Sequence, residues 1–134
     1  QLARDFGSQE KPAQIFAGAR SADRLYFIDE CRAIADVHIA TDDGSAGFNG
    51  RVTDALRSYL DTLDAETLAR TEFYNCGPEP MIHAAEAVQR DFVEPAKMFS
   101  AIDYTTKCGV GICGACASPD GRRICVDGPF INTQ

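Results

Sequence analysis

The sequence predicts an α/β fold in which a parallel sheet is covered by helices on both faces. Short apolar segments typical of strands alternate along the chain with amphipathic segments typical of helices. Parallel strands need such crossovers, because a tight hairpin cannot join them. The composition, 45% apolar and 25% charged residues in 134, is that of an ordinary globular protein and argues against disorder.

Four segments read as strands. QIFAGA (14–19) and DVHIAT (36–41) are apolar runs followed by turn residues, and we expect both strands to be buried. Phe73–Cys76 is a third strand that leads directly into Gly77. The segment AKMFSAI (96–102) is the last strand.

Helices are predicted between these strands. Residues 21–34 form the first helix, with Ser21 as its N-cap, and residues 51–60 form the second. The second helix has a one-sided apolar set, Val52, Leu56, Tyr59 and Leu60. A third helix begins near Pro78 and includes residues 81–92, since proline is favourable in a first helical turn. The opening QLARDFG (1–7) is typical of the end of a helix.

Charge and hydropathy exclude two classes of partner. With 13 basic and 20 acidic residues the formal charge is −7, so the protein lacks the broad cationic surface that nucleic acid binding requires. No apolar run approaches the roughly 20 residues that cross a bilayer, and the first residues do not resemble a secretion signal. We therefore expect no nucleic acid partner, no membrane insertion and a cytoplasmic location.

The six cysteines are unevenly placed. Cys31 and Cys76 are isolated, whereas the other four, Cys108, Cys113, Cys116 and Cys125, lie within eighteen residues. A disulfide scaffold would distribute its cysteines more evenly, so the clustered four are better interpreted as thiolate metal ligands in a reducing compartment.

The cluster begins with C-x4-C-x2-C, the plant-type ferredoxin spacing for a [2Fe–2S] cluster. Gly109, Gly111 and Gly114 permit the tight wrapping that such a loop needs, and a turn at Asp120-Gly121 would return Cys125 as the fourth ligand. Two alternatives remain. Four cysteines also suit structural zinc, although only Cys113 and Cys116 form a zinc-type knuckle, and a [4Fe–4S] cluster lacks its common C-x2-C-x2-C run.

A nucleotide site is predicted where TDDG and CGPEP follow strands, because ligands of open α/β sheets bind at the carboxyl ends of strands. Gly77 would let the backbone approach a nicotinamide or flavin, and the alternative is a tight turn beside a buried Cys76. Asp42 and Asp43 are better explained as turn residues than as ligand contacts. His38 in a strand pattern is interpreted as a structural residue and Cys31 as a core residue, whereas His83 lies in a predicted helix with no evident partner.

Three segments in this order resemble the electron-transfer subunit of class B dihydroorotate dehydrogenase, in the ferredoxin-reductase superfamily: Ala40–Val52, NCGPEPM (75–81) and Cys108–Phe130. The resemblance implies a ferredoxin-reductase-like nucleotide-binding domain, partial over residues 1–95, and a last strand with a [2Fe–2S] segment over 96–134. The family's FAD-binding barrel and the first strand of its sheet have no counterpart here. Before Cys108 the chain also departs from the family pattern, with Asp103 and an apparent one-residue insertion.

The resemblance further implies an oxidoreductase subunit of pyrimidine biosynthesis that passes electrons from NADH through FAD and the cluster to an FMN-containing catalytic subunit in a heterotetramer. Cys108, Cys113, Cys116 and Cys125 would ligate iron, and Cys76 would lie beside the position of hydride transfer. The cofactor-binding residues would be Thr41, Asp42, Gly44, Cys76, Gly77 and Pro78. The acidic loop would repel a 2′-phosphate and favour NADH over NADPH, although Arg20 could counter this. The alternatives are an NADH-dependent ferredoxin oxidoreductase subunit and a zinc-stabilised interaction module.

Overall fold

The structure is a computed structural model that describes residues 13–101 and 104–132. The chain divides into two compact units, residues 1–61 and 62–134. Each unit has a three-stranded sheet that contains parallel strands and is packed against at least one helix, which confirms the predicted mixed α/β class. The predicted helix end at residues 1–7 and the departure from the family pattern at Asp103 lie outside the described residues.

The first unit is built on a parallel sheet of β1 (Gln14–Ala19), β2 (Asp36–Thr41) and β3 (Phe48–Asn49), in that order. β1 and β2 have the predicted bounds and pair over their whole length. The prediction that both strands are buried is wrong for most positions. β1 has no buried residue, and β2 buries Ala40 and Thr41 alone.

Helices from the described part of this unit pack on the sheet. α1 (Ile28–Arg32) contacts β2, and α2 (Val52–Leu60) contacts β1 and β2. α2 buries Leu56 and Leu60, which confirms the apolar face predicted from helical spacing. α1 buries no residue, so the short helix adds little cover and the two longer strands stay largely half-buried.

The continuous helix predicted over residues 21–34 is wrong. The structure has a 3₁₀ turn at Ala22–Arg24 and then the separate helix α1. Phe27, between them, has a left-handed backbone with φ 59°, which an uninterrupted helix does not contain. Ser21 does precede the turn, but its hydroxyl donates to the Asp23 carboxylate and it makes no side-chain cap bond. Cys31 is half-buried and not a core residue, because α1 is too short to bury a face.

The second unit contains β4 (Phe73–Cys76), β5 (Met98–Ala101) and β6 (Ile131–Asn132). β5 lies in the centre, parallel to β4 and antiparallel to β6. β4 and β5 stand on opposite sides of the boundary predicted after residue 95 and pair in one sheet. The division of the protein at that residue stays a prediction.

The described residues of this unit form the helices α3 (Ala65–Ala69), α4 (Glu79–Gln89) and α5 (Ile124–Asp127). α4 packs on β4 and β5 and buries Ile82 and Ala85. It begins after Pro78 with Pro80 in its first turn, as the sequence predicts. No helix in the described part of the chain combines the length and the hydropathy needed to cross a membrane.

Candidate metal centre and nucleotide site

The cysteine loop, residues 108–116, turns at its glycines. Gly109, Gly111 and Gly114 have φ of 71°, 77° and 71°, in the left-handed region that side chains disfavour. At Gly111 space is limiting as well, because a Cβ atom there would lie 2.6 Å from Cγ2 of Val126. These conformations confirm that the loop needs glycine at the positions singled out in the sequence.

The Cys108 sulfur is surrounded by backbone donors from its own loop. The N–H groups of Ile112 and Cys113 donate to Sγ of Cys108, with N to Sγ distances of 3.4 and 3.5 Å. These bonds, that of Cys113 above all, together with the N–H of Val110, lower the pKa of the Cys108 thiol to about 6. A thiolate held by N–H donors is the state in which cysteine binds iron or zinc.

Cys116 and Cys125 form a second pair. The chain reverses through the predicted turn at Asp120-Gly121, where the Gly121 N–H donates to the Ser118 carbonyl at 2.9 Å. This return brings Cys125 beside Cys116, since the N–H of the neighbouring Ile124 donates to the Cys116 carbonyl at 3.2 Å. The Cys125 N–H and thiol lower the pKa of Cys116, and the same interaction between the two thiols raises the pKa of Cys125.

The chemistry of these donors fits an iron–sulfur group. Sulfur atoms supply the ligands, and backbone N–H groups point at the sulfurs, as the ligands of such clusters require. Among residues 13–101 and 104–132, no three His, Cys, Asp or Glu side chains are gathered as a metal site. The structure brings the cysteines together as pairs, Cys108 with Cys113 and Cys116 with Cys125. The set of four ligands stays a prediction.

In the first unit, the loop after β2 is closed by its own hydrogen bonds. The buried Thr41 hydroxyl donates to the Ala46 carbonyl at 2.8 Å and accepts from the Ala46 N–H at 3.0 Å. Asp43 accepts from the N–H and hydroxyl of Ser45 at 2.9 and 2.6 Å, and the hydroxyl bond is the largest cause of its lowered pKa. The turn interpretation of Asp43 is therefore confirmed. Asp42 and Gly44 are exposed.

The loop after β1 lies beside this closed loop. The Asp43 N–H donates to the Arg20 carbonyl at 3.1 Å, and the Ala22 N–H donates to the Ser45 hydroxyl at 2.8 Å. Two strand ends of the first unit thus form one continuous polar rim. Binding of a cofactor by Thr41, Asp42 and Gly44 stays a prediction.

In the second unit, Cys76, Gly77 and Pro78 form the passage from β4 into α4. Cys76 is exposed, so the alternative in which it is buried is wrong. Gly77 has φ 149°, and a Cβ atom there would lie 2.3 Å from Cε of Met81. The Pro78 carbonyl accepts from the N–H groups of Met81 and Ile82, which starts the helix. A bare backbone and an accessible thiol suit the approach of a planar ring, and the assigned roles stay predictions.

A buried polar network beneath this passage was not identified from the sequence. Asn75 and Gln89 exchange amide hydrogen bonds of 3.0 and 2.7 Å, and Asn75 also donates to Ser100 at 3.3 Å. Ser100 donates to Oε1 of the buried Glu86 at 2.6 Å. The sequence does indicate that two of these polar side chains are buried, because Glu86 and Gln89 share the helical spacing of the buried Ile82 and Ala85.

The two histidines have structural partners. His38 stacks on Phe16 with ring centroids 4.5 Å apart, and its Nε2 lies 2.7 Å from Oε1 of Gln14, which confirms the structural interpretation. His83 lies between Glu79 and Glu86, at 3.4 and 3.6 Å, so the expectation that it has no partner is wrong.

Comparison with known proteins identifies the C-terminal segment. Residues 105–134, which contain the four clustered cysteines, match the family model described as the iron-sulfur cluster binding domain of dihydroorotate dehydrogenase B. Over 120 residues the chain is 41% identical to the "Probable dihydroorotate dehydrogenase B (NAD(+)), electron transfer subunit" of Methanocella arvoryzae. The chain is similar to the dihydroorotate dehydrogenase B electron-transfer subunits over most of its length. The match covers 88% of the chain and 44% of the Methanocella protein.

Other comparisons agree with this relationship. The dihydroorotate dehydrogenase B electron-transfer subunit of Listeria welshimeri is 33% identical over 140 residues, covering all of the chain and 51% of that protein. The chain thus spans about half the length of the curated relatives it matches. A solved structure from a study of flavin-based electron bifurcation, the NADH-dependent reduced ferredoxin-NADP oxidoreductase, superposes with a TM-score of 0.71 at 28% identity. That superposition covers 97% of the chain and 46% of the solved one.

Proposed function

We propose that this chain is part of an electron-transfer subunit of dihydroorotate dehydrogenase B, an oxidoreductase of pyrimidine biosynthesis. The subunit passes electrons from NADH through FAD and a [2Fe–2S] cluster to an FMN-containing catalytic subunit, with which it forms a heterotetramer in the cytoplasm. The names of the curated relatives support the NAD(+) dependence and the partner.

The observation that carries this proposal is the donation of two backbone N–H groups to the Cys108 sulfur within the C-x4-C-x2-C loop. The C-x4-C-x2-C run is the plant-type ferredoxin spacing, and the loop lies within the segment that matches an iron–sulfur domain. When bound, such a cluster accepts one electron at a time, which suits transfer from a two-electron hydride donor.

The chain's own residues have two tasks in this function. Cys108, Cys113, Cys116 and Cys125 hold the iron, while backbone N–H groups of the loop stabilise the negative charge on the sulfurs. Cys76 and Gly77 leave an accessible edge at the end of β4 where a nicotinamide ring can approach, and the N-terminus of α4 favours anionic groups of the nucleotide.

Purification of the full-length protein without oxygen tests the proposal. We expect visible absorption, two irons per chain, and an electron paramagnetic resonance signal after reduction. A colourless protein that contains zinc alone would overturn the proposal in favour of a zinc-stabilised interaction module.

An NADH-dependent ferredoxin oxidoreductase subunit is the second candidate, supported by the similarity to the solved reductase. The two functions share the cysteine loop and differ in the electron acceptor. Co-purification with an FMN-containing subunit that oxidises dihydroorotate supports the first function. Rapid reduction of ferredoxin by NADH without such a partner supports the second.

A further inference from the structure

The segment that returns to the cysteine loop is fixed to it along its backbone. Ala117 and Arg123 form an antiparallel bridge, and the Ser118 N–H donates to the Arg122 carbonyl at 2.8 Å. The Ile124 N–H donates to the Cys116 carbonyl at 3.2 Å. These bonds fix the starting point of the Arg123 side chain relative to the loop.

The Arg123 guanidinium reaches back to the middle of the C-x4-C segment. Its Nη1 donates to the carbonyl oxygen of Gly111 at 2.7 Å. Gly111 leaves room for this contact, since a Cβ atom at that position would lie 3.2 Å from the same Nη1. The Gly111 carbonyl, in the middle of the C-x4-C segment, is therefore held by the returning segment that carries Cys125.

We propose that Arg123 is a positioning residue of the iron–sulfur site, which fixes Gly111 and with it the loop whose N–H groups point at the Cys108 sulfur, and which places a positive charge beside Cys108 and Cys113. The inference rests on the proposed function, because it assumes that the four cysteines hold a cluster. Hydrogen bonds to the sulfurs and nearby positive charge favour the reduced, more negative cluster. Arg123 thus raises the reduction potential of the site.

Arg122 provides a matched control. It is the adjacent arginine, but its Nε lies 3.1 Å from a carboxylate oxygen of Asp120, so its charge is locally balanced. Its guanidinium is part of an exposed ion pair in the turn, and substitution there removes a neighbouring charge without touching Gly111. Comparing Arg123→Gln with Arg122→Gln therefore separates the specific contact from a general loss of positive charge.

The test is a redox titration of the full-length, anaerobically purified protein, followed by electron paramagnetic resonance, with iron counted per chain. Arg123→Gln should lower the equilibrium constant for reduction about tenfold, which is 59 mV for one electron, or lose iron. Arg122→Gln should change that constant by less than about twofold, because exposed paired charges are screened. Arg123→Lys keeps the charge and should restore most of the parent potential and iron content.

The inference is overturned if Arg123→Gln matches Arg122→Gln in potential and iron content, or if Arg123→Lys behaves like Arg123→Gln. Failure of the proposed function looks different. In that case the parent protein and the Arg122→Gln variant themselves contain no iron and give no paramagnetic signal.

Discussion

Asn75 and Gln89 exchange two hydrogen bonds between their buried side-chain amides, joining the end of β4 to the last turn of α4. Asn75 immediately precedes the exposed Cys76. The reciprocal pair therefore holds the strand end from which the proposed nucleotide site is built. Amides that satisfy each other stabilise a buried position more than either does alone, since an unpaired buried amide is costly.

Replacing either member of this pair alone should destabilise the protein, and the stability losses of the two single variants should not add in the double variant. Gln89→Leu or Asn75→Leu leaves a buried amide without its partner, at a cost of about 1–3 kcal/mol. The double variant should lose clearly less than the sum of the single losses, as measured by urea unfolding of the full-length protein. Glu79→Gln, at the exposed start of the same helix, is the control. Strict additivity of the two single losses would contradict the prediction.

The elements with a clear period could be predicted from the sequence. β1, β2, β4 and α2 follow from apolar runs or one-sided apolar spacing, which reflect packing within a few residues. The first helix could not be predicted, because its interruption depends on the left-handed backbone of Phe27 and on the Ser21 hydroxyl turning to Asp23. Neither the backbone of Phe27 nor the hydrogen bond of Ser21 is visible in the spacing of apolar residues.

The same distinction applies to the candidate site. The glycine conformations and the Asp120-Gly121 turn depend on local backbone chemistry, so the sequence indicates them. The link from Ser100 to Glu86 and the contact of Arg123 with Gly111 join residues 14 and 12 positions apart in different elements. Such contacts depend on tertiary packing and cannot be derived from spacing.

Gly77→Ala should destabilise the protein and raise the KM for NADH. The φ of 149° costs an alanine about 1–3 kcal/mol in a backbone region that suits glycine. The close atom, Cε of Met81, is the flexible end of a side chain and can move away. Adding Met81→Ala should therefore not restore stability in thermal unfolding, and full rescue would show that the cost is steric. Met81→Ala alone is the control.

The N-cap of α3 should make stability depend on pH in acid. Asp64 accepts from the Thr67 N–H at 2.7 Å, and this bond, the largest cause, lowers the pKa of Asp64 below its ordinary value of 3.8. A lowered pKa means that the charged carboxylate stabilises the fold fully above the unfolded pKa and loses this effect as the pH falls through the folded pKa.

The melting temperature of the parent relative to Asp64→Asn should therefore fall as the pH drops below 3.8. The asparagine is a suitable control, because it still caps the helix but carries no charge. A difference in melting temperature that stays constant through this acid range would contradict the assignment.

Asp42→Asn should weaken the preference for NADH. A carboxylate repels a 2′-phosphate by about 1 kcal/mol per unit charge at 4 Å in water, so its removal should improve NADPH binding roughly fivefold while NADH binding changes little. Asp42 is the suitable residue because Asp43 is engaged by Ser45. Asp29→Asn, on exposed α1, controls for general charge. Tighter binding of NADPH than NADH by the parent would show that the acidic loop does not select the cofactor.

Serine substitutions should separate the six cysteines into three groups. Replacing Cys108, Cys113, Cys116 or Cys125 removes a thiolate that oxygen does not replace well for iron, so visible absorption and iron content should fall sharply. Cys31→Ser should leave both unchanged, because Cys31 is half-buried on the short helix α1, outside the cysteine loop.

Cys76→Ser should keep the iron but slow the reduction of the flavin by NADH, since Cys76 is exposed at the end of β4, where the nicotinamide is proposed to approach. Stopped-flow absorption separates flavin reduction from the cluster signal. Loss of iron in Cys76→Ser, or full iron retention in Cys125→Ser, would require a different set of ligands.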